Sequence, residues 1–309
     1  MMGFDINRYP HLLKDRVCLF LPSLQGGGAE KVMLNLARGF CKLGLKVDLV
    51  LVRAEGTYLK EVPDAVRVID LKASRVLFSL PGLVRYLRTE RPMAIFSAME
   101  HANVVALLAV KLAGISVRTI VSVHTCLSVD IAYAVSLKAR LTRYWIQPFY
   151  NRASAVVAVS QGVADDLIRL IDLPPEKVRV IYNPVVTPEL FTKASESMDH
   201  PWFQSGEPPV VLGVGRLTST KNFSALIRAF AVVRAKRLTR LLILGEGEER
   251  NALEALVKSL GLEGDVALPG FVENPFCYAR ASALFVLSSR YEGFGNVLAE
   301  AMACGTPVV

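Results

Sequence analysis

Apolar and polar positions along the chain fall into blocks that repeat one rhythm. A short apolar run, Val17 to Leu21, leads into the glycine loop Gln25-Gly26-Gly27-Gly28. Val32, Met33, Leu36, Phe40 and Leu43 then recur at helical spacing, closed by Gly44. Steps of three and four residues place an apolar face along a helix, and a glycine just past it is a stop signal. Further apolar runs lie at Lys46 to Val52, Val66 to Ile69, Ala94 to Phe96, Thr119 to Val123 and Ala155 to Val159, separated by helical stretches. Short strands alternating with helices predict a parallel sheet covered on both faces.

The rhythm restarts at Val210 to Val214, followed by the turn Gly215-Arg216-Leu217. Phe223, Leu226, Ile227, Phe230 and Val233 mark the next helix, and Arg240 to Leu244 the next strand, ending in Gly245-Glu246-Gly247. Asn183 to Pro209 carries five prolines with little periodicity and reads as a linker. The expectation is two α/β domains, residues 1–186 and 187–309, with Rossmann-like parallel sheets facing across a cleft. Ligands in such sheets sit at the carboxyl ends of the strands. Val309 closes the chain straight after a strand-like run, so the second domain is expected to be incomplete.

Composition narrows the class. With 309 residues, 52% of them apolar, the chain can bury sizeable cores and is not disordered. Mean hydropathy is high at +0.37, but the best membrane-span candidate, Asn103 to Ile115, is short and interrupted by Lys111. It reads as a buried helix, since a span needs roughly 18 apolar residues. The start, Met1 to Arg16, has no apolar signal core, so a cytoplasmic location is expected. Cys18, Cys41, Cys126, Cys277 and Cys304 lack metal-ligand spacing and are expected as buried, reduced thiols. Residues 1–186 hold 24 basic and 15 acidic side chains, and residues 187–309 hold 12 and 13. Such asymmetry suggests an anionic partner for the first half, either a membrane surface or a phosphate-bearing acceptor. No recognition motif supports nucleic acid.

The candidate chemistry lies in the loops. Arg290-Tyr291-Glu292-Gly293-Phe294-Gly295-Asn296 follows an apolar run, Ala283 to Leu287, and opens a short helix carrying Glu300. Amides at a helix start can hold phosphate, and carboxylates accept hydrogen bonds from sugar hydroxyls. Arg216 and Lys221 fall around the start of the second half's first helix. A guanidinium fork and a point charge at that place can clamp a diphosphate, with solvated surface cations as the alternative. Gly26-Gly27-Gly28 is either a phosphate-approach loop or a plain tight turn. His124 ends an apolar strand, as a ligand contact or as a structural histidine held by backbone. No Asp-x-Asp occurs, so no carboxylate-held divalent metal has an obvious candidate. Two stretches, Arg75 to Arg91 and Tyr133 to Arg152, mix cations with apolar and aromatic residues. Each is an interfacial membrane surface or a core-packed helix with a basic outer face.

Taken together, Gly215-Arg216-Leu217…Lys221-Asn222, Leu244-Gly245-Glu246-Gly247, Gly270-Phe271-Val272 and Glu292-Gly293-Phe294-Gly295…Glu300 resemble the family 4 glycosyltransferases. The last stretch matches that family's E-x7-E motif. The resemblance spans nearly the whole chain and implies a GT-B fold. It also implies a retaining, metal-independent transfer from a nucleotide sugar, a UDP-sugar first and GDP-mannose second. The acceptor would be a glycan or a polyprenyl-linked molecule at the inner face of the plasma membrane, with the enzyme bound peripherally. Arg216 and Lys221 would neutralise the donor diphosphate, Glu292 would contact the donor sugar and Glu300 the ribose. The Gly293, Phe294 and Gly295 backbone would support sugar and phosphate, and Val272 would sit by the base. Gly27 and Gly28 would approach the diphosphate from the first domain, Gly215 and Gly247 would complete the donor contacts, and His124 would meet the transferred sugar. A nucleotide-sugar epimerase of the same fold and a non-catalytic donor-binding protein are the rival readings.

Overall fold

A computed structural model describes residues 16–133 and 142–309, which form two compact units dividing between Pro184 and Val185. In the first unit seven strands form one parallel sheet: β1 (Arg16–Leu21), β2 (Lys46–Leu51), β3 (Val66–Asp70), β4 (Ala94–Ala98), β5 (Arg118–Val123), β6 (Ala155–Ala158) and β7 (Val178–Val180). Their order is β3-β2-β1-β4-β5-β6-β7. The helices are α1 (Gly28–Lys42), α2 (Leu80–Glu90), α3 (Glu100–Ala113), α4 (Leu127–Tyr133), α5 (Thr142–Tyr150) and α6 (Gln161–Ile171).

Side-chain alternation explains why β1 is apolar from Val17 to Leu21. Val17, Leu19 and Leu21 pack with Met33, Leu34 and Ala37 of α1. Cys18 and Phe20 point the other way, among Leu83, Tyr86 and Leu87 of α2 and Ala102, Val105 and Ala106 of α3. A strand covered on both faces has no polar side to show. A charged exception is Asp48 in β2, which is fully buried. Arg16 Nη1 and Arg67 Nε donate to its Oδ1 at 2.5 and 2.9 Å, and Arg67 Nη2 and Tyr86 Oη to its Oδ2 at 2.6 and 2.8 Å. Burial pushes this carboxyl up, but hydrogen bonds from Arg67 and Tyr86 and the charge of Arg16 outweigh it and hold it below the usual range.

The second unit repeats the plan with β8 (Val210–Val214), β9 (Arg240–Leu244), β10 (Val266–Gly270) and β11 (Leu284–Phe285), ordered β10-β9-β8-β11 and all parallel. Its helices are α7 (Pro188–Ala194), α8 (Phe223–Arg234), α9 (Arg250–Ser259), α10 (Pro275–Ala281) and α11 (Asn296–Ala303). Leu241 and Ile243 face α8 and α9, while Leu242 and Leu244 face α10 and α11. In each sheet the chain crosses to one face after the first strand and to the other after the fourth. That creates a switch point at the carboxyl ends, between β1 and β4 and between β8 and β11, where α/β sheets bind ligands.

Three expectations need correction. The stretch 183–209 is not a bare linker: it contains α7, whose Leu190 and Ala194 are buried. Asn274 Nδ2 donates to Lys193 O and Glu196 Oε2 at 2.8 and 2.7 Å, binding this stretch to the α10 start. Strands β7 and β10 are additional, both short edge strands, the first split by Arg179 and the second ending in Pro269 and Gly270. The run Ala283 to Leu287 yields a two-residue strand, although Val286 N and Leu287 N still bond to Leu212 O and Val309 O. Asn103 to Ile115 lies largely in α3, buried along Ala102, Asn103, Ala106 and Ala109. Among the described residues no helix is long and apolar enough to cross a membrane. The five cysteines are free thiols, Cys18 and Cys277 buried and the others half-buried.

Candidate active site

In the second unit, two loops meet at the switch point. One leaves β8 through Gly215 and Arg216 to Asn222, and the other leaves β11 through Ser288 to Gly295. Arg290 N donates to Thr220 O at 2.9 Å, and Ser288 Oγ to Lys221 O at 2.8 Å, so the backbones are tied together. Across that tie Lys221 Nζ reaches Glu292 Oε1 at 2.5 Å, with both side chains about a quarter exposed. Ser289 Oγ donates to the same oxygen at 2.7 Å. Two donors thus converge on Oε1. Arg216 is exposed and pairs with no carboxylate among the described residues.

The glycines around this point have separate reasons. Gly245 has φ +143°, and a Cβ there would lie 1.9 Å from Gly215 O. A Cβ on Gly247 would lie 2.3 Å from Leu217 O. Gly245-Glu246-Gly247 therefore lets the β9 loop press against the β8 loop, a packing role that sequence spacing does not reveal. Leu217 N donates to Glu246 O at 2.9 Å along that contact, and Leu217 itself is fully buried. Glu246 turns to Arg250, whose guanidinium grips both its oxygens at 2.7 and 2.8 Å. Gly215 lies beneath the Lys221 stem, whose carbons would stand 3.5 Å from a Cβ. Gly295, with φ +79°, precedes α11 as its N-cap, and Gly293 is buried. Glu300 sits half-buried on α11, one turn beyond Asn296. Val272, after β10, is half-buried against Phe285 and Leu244 in the core, while Phe271 beside it is exposed.

In the first unit, the amides of Gly26 and Gly27 both donate to Glu30 Oε2, at 2.7 and 2.9 Å. Glu30 is buried in the first turn of α1. This is the carboxylate half of a capping box, signalled by a glutamate three residues after the N-cap. The N–H of Gly27 is therefore directed inward to the chain's own carboxylate. Gly28, the first residue of α1, is exposed. His124 stands at the carboxyl end of β5, its Nε2 3.0 Å from Ser122 Oγ. Burial pushes its pKa down to about 4, so the ring is neutral at pH 7. Among the described residues no three or more His, Cys, Asp or Glu side chains gather as metal ligands.

Residues 26–188 match the description Glycosyltransferase Family 4, and residues 196–309 match Glycosyl transferases group 1. The chain belongs to the family 4 glycosyltransferases. This transferase is 31% identical over 303 residues to an N-acetylgalactosamine-N,N'-diacetylbacillosaminyl-diphospho-undecaprenol 4-alpha-N-acetylgalactosaminyltransferase of Campylobacter jejuni, covering 94% of this chain and 79% of the relative. It is 26% identical to LpsE of Rhizobium meliloti, a lipopolysaccharide core biosynthesis glycosyltransferase, covering 92% of this chain and 75% of the relative. Among solved structures, Anabaena HepE in complex with UDP-glucose superposes with a TM-score of 0.74 at 22% identity, covering 95% of this chain and 79% of that one. The fold is thus GT-B, and the transferase reading holds over the epimerase.

Proposed function

We propose that this glycosyltransferase moves a sugar from a nucleotide-diphosphate sugar to a glycan or polyprenyl-linked acceptor, with retention and without a metal. The observation that carries this reading is the Lys221–Glu292 pair at the switch point, with Arg216 exposed on the same loop. Lys221 and Arg216 neutralise the diphosphate. Glu292 accepts from donor-sugar hydroxyls through Oε2, and Glu300 from the ribose. The backbone of Gly293 to Gly295 supports sugar and phosphate, Val272 flanks the base, Gly28 approaches the diphosphate, and His124 meets the transferred sugar. The diphospho-undecaprenol-linked acceptor in the name of the Campylobacter relative, the lipopolysaccharide core biosynthesis of LpsE and the UDP-glucose bound to HepE support this class of donor and acceptor. A UDP-sugar is the first expectation and GDP-mannose the second.

Cleavage of the sugar–phosphate bond builds negative charge on the leaving diphosphate, and fixed cations and amides stabilise it without reorganising. The anomeric carbon passes through an oxocarbenium-like state favoured by a nearby carboxylate. In front-face attack the acceptor oxygen bonds to that carbon, and its proton passes to the departing phosphate oxygen. No separate base is required. A panel of nucleotide sugars screened by thermal shift identifies the donor, because binding to the native state raises its stability by mass action. Product NMR then reports the anomer; an inverted product overturns the mechanism.

The acceptor side is proposed to meet an anionic membrane surface. Helix α2 itself is core-packed, with Leu83, Tyr86 and Leu87 buried, but the turn before it leaves Leu77 and Phe78 61% and 62% exposed. Arg75 just before them, Arg85 and Arg88 on α2, and Arg91 at its end are also exposed. The other basic-aromatic stretch, 133–152, falls partly outside the described residues. Each arginine near an anionic bilayer contributes about 1 kcal/mol, and the two apolar side chains about 1.5–3 kcal/mol each if fully buried. Sedimentation with anionic vesicles is expected to fall with salt and to drop at least tenfold for Leu77→Ser/Phe78→Ser. Equal binding to neutral and anionic vesicles at every ionic strength contradicts this.

A further inference from the structure

We propose that Ser122 fixes His124 as the Nε2–H tautomer, which leaves Nδ1 as a hydrogen-bond acceptor for a donor-sugar hydroxyl. The identity of the ligand rests on the function proposed above; the tautomer rests on proton counting at β5.

Ser122 and His124 are two residues apart at the end of a strand, so their side chains leave the same face. Ser122 Oγ is 3.2 Å from Ser97 O and 3.0 Å from His124 Nε2. The hydroxyl has a single proton. The Ser97 carbonyl can only accept, so it takes that proton. The second contact is then a hydrogen bond only if Nε2 carries a hydrogen and donates to Oγ. With the Nδ1–H tautomer, Ser122 would have to choose between its neighbours, and one contact would be lost. The arrangement is held from behind. Asn103 Nδ2 donates to Ser122 O and to Tyr150 Oη, both at 3.0 Å, and Asn103 and Tyr150 are fully buried.

Nδ1 has no protein partner among the described residues. Because burial keeps the ring neutral, Nδ1 carries a lone pair rather than a hydrogen. A sugar hydroxyl can donate to it, as an N–H can, whereas a carbonyl oxygen cannot. Ser122 is thus a positioning residue: it acts on the ligand through His124 and not directly.

The test is two-bond ¹⁵N–¹H correlation NMR on the full chain labelled with ¹⁵N-histidine, at neutral pH. There are four histidines, and His124→Asn assigns the signal. The native chain is expected to show His124 with a protonated Nε2 and a pyridine-like Nδ1. Ser122→Ala is expected to bring in the Nδ1–H form, and Ser122→Thr to restore the native pattern. Unchanged His101 and His200 signals confirm that the variants fold. Titration with the donor identified by thermal shift is expected to move the Nδ1 resonance upfield, while the matching nucleoside diphosphate leaves it in place. A native Nδ1–H tautomer, an imidazolium, or a pattern indifferent to Ser122→Ala overturns the tautomer. A shift caused by nucleoside diphosphate alone, or by acceptor and not donor, overturns the sugar assignment. If Lys221→Ala and Glu292→Ala also leave donor binding intact, the proposed function fails instead.

Discussion

Replacing Lys221 with methionine removes a cation while keeping an aliphatic stem over Gly215. Its partner Glu292 Oε1 lies 2.5 Å away, and both side chains are about a quarter exposed. At that exposure solvent screens the pair, and its contribution to folding is about 1 kcal/mol or less. A loss of that size moves a melting midpoint by roughly 2–4 °C in a chain of this size class. The functional cost that follows from the proposed diphosphate contact is expected to be far larger. Removing one preorganised donor from a developing anion costs about 2.7–4 kcal/mol, a hundredfold to a thousandfold in kcat. Initial rates with saturating donor, calorimetric binding of nucleoside diphosphate, and a thermal melt on the same preparation separate the two effects. The expected outcome is a rate at least a hundred times lower with the midpoint within about 5 °C of wild type. Two results refute the reasoning: transfer within threefold of wild type, or a rate loss explained entirely by a midpoint that has fallen below the assay temperature.

Two further outcomes follow from side-chain geometry. Ser289→Ala frees the Glu292 carboxylate to rotate; it is expected to weaken nucleotide-sugar binding about tenfold, near the low end for a hydrogen bond to a charged group. The effect should vanish in a Glu292→Ala background, which a double-mutant cycle by calorimetry checks. Asp48→Asn removes the negative charge that Arg16 and Arg67 share and turns one of the two acceptor oxygens into a donor; it is expected to cost about 3 kcal/mol, low in the range for a broken buried pair because Arg67 is 45% exposed. The native Asp48 carboxyl titrates below its ordinary value, so its stabilisation is complete above the unfolded pKa of about 4 and is lost as pH falls through the folded one. Acid melts of wild type should therefore steepen below about pH 4, and those of Asp48→Asn should be flatter over the same window.

Much of the fold is legible because parallel strands buried on both faces leave mostly apolar runs. β1, β2, β4, β5, β8 and β9 all announce themselves this way. Strands β7 and β10 sit at sheet edges, where Arg179, Pro269 and other poorly strand-like residues are tolerated, so their pattern is faint. α7 hides in a proline-rich stretch because proline is well suited to the first turn of a helix, where Pro188 sits. The site is legible as residue types and illegible as pairings. Arg216, Lys221, Glu292 and Glu300 stand out by spacing, but the contact between Lys221 and Glu292 spans 71 residues of sequence. Ser289 left no signal apart from lying three residues before Glu292. Glu30 did leave one, the capping-box spacing from Gly27, and it changes how the glycine loop is understood. The glycines of Gly245-Glu246-Gly247 are explained by packing, which only the loop's close approach to Gly215 O and Leu217 O makes visible.

The turn from Arg290 to Asn296, together with Arg216 and Lys221, is proposed to hold a nucleotide-diphosphate sugar. Calorimetric titration of the bare nucleoside diphosphate and of its sugar conjugate into wild type, Lys221→Ala and Glu292→Ala tests it most directly. Lys221→Ala is expected to weaken both ligands, and Glu292→Ala to weaken the sugar conjugate alone. Saturable binding of both ligands with affinities that neither substitution changes would contradict the account.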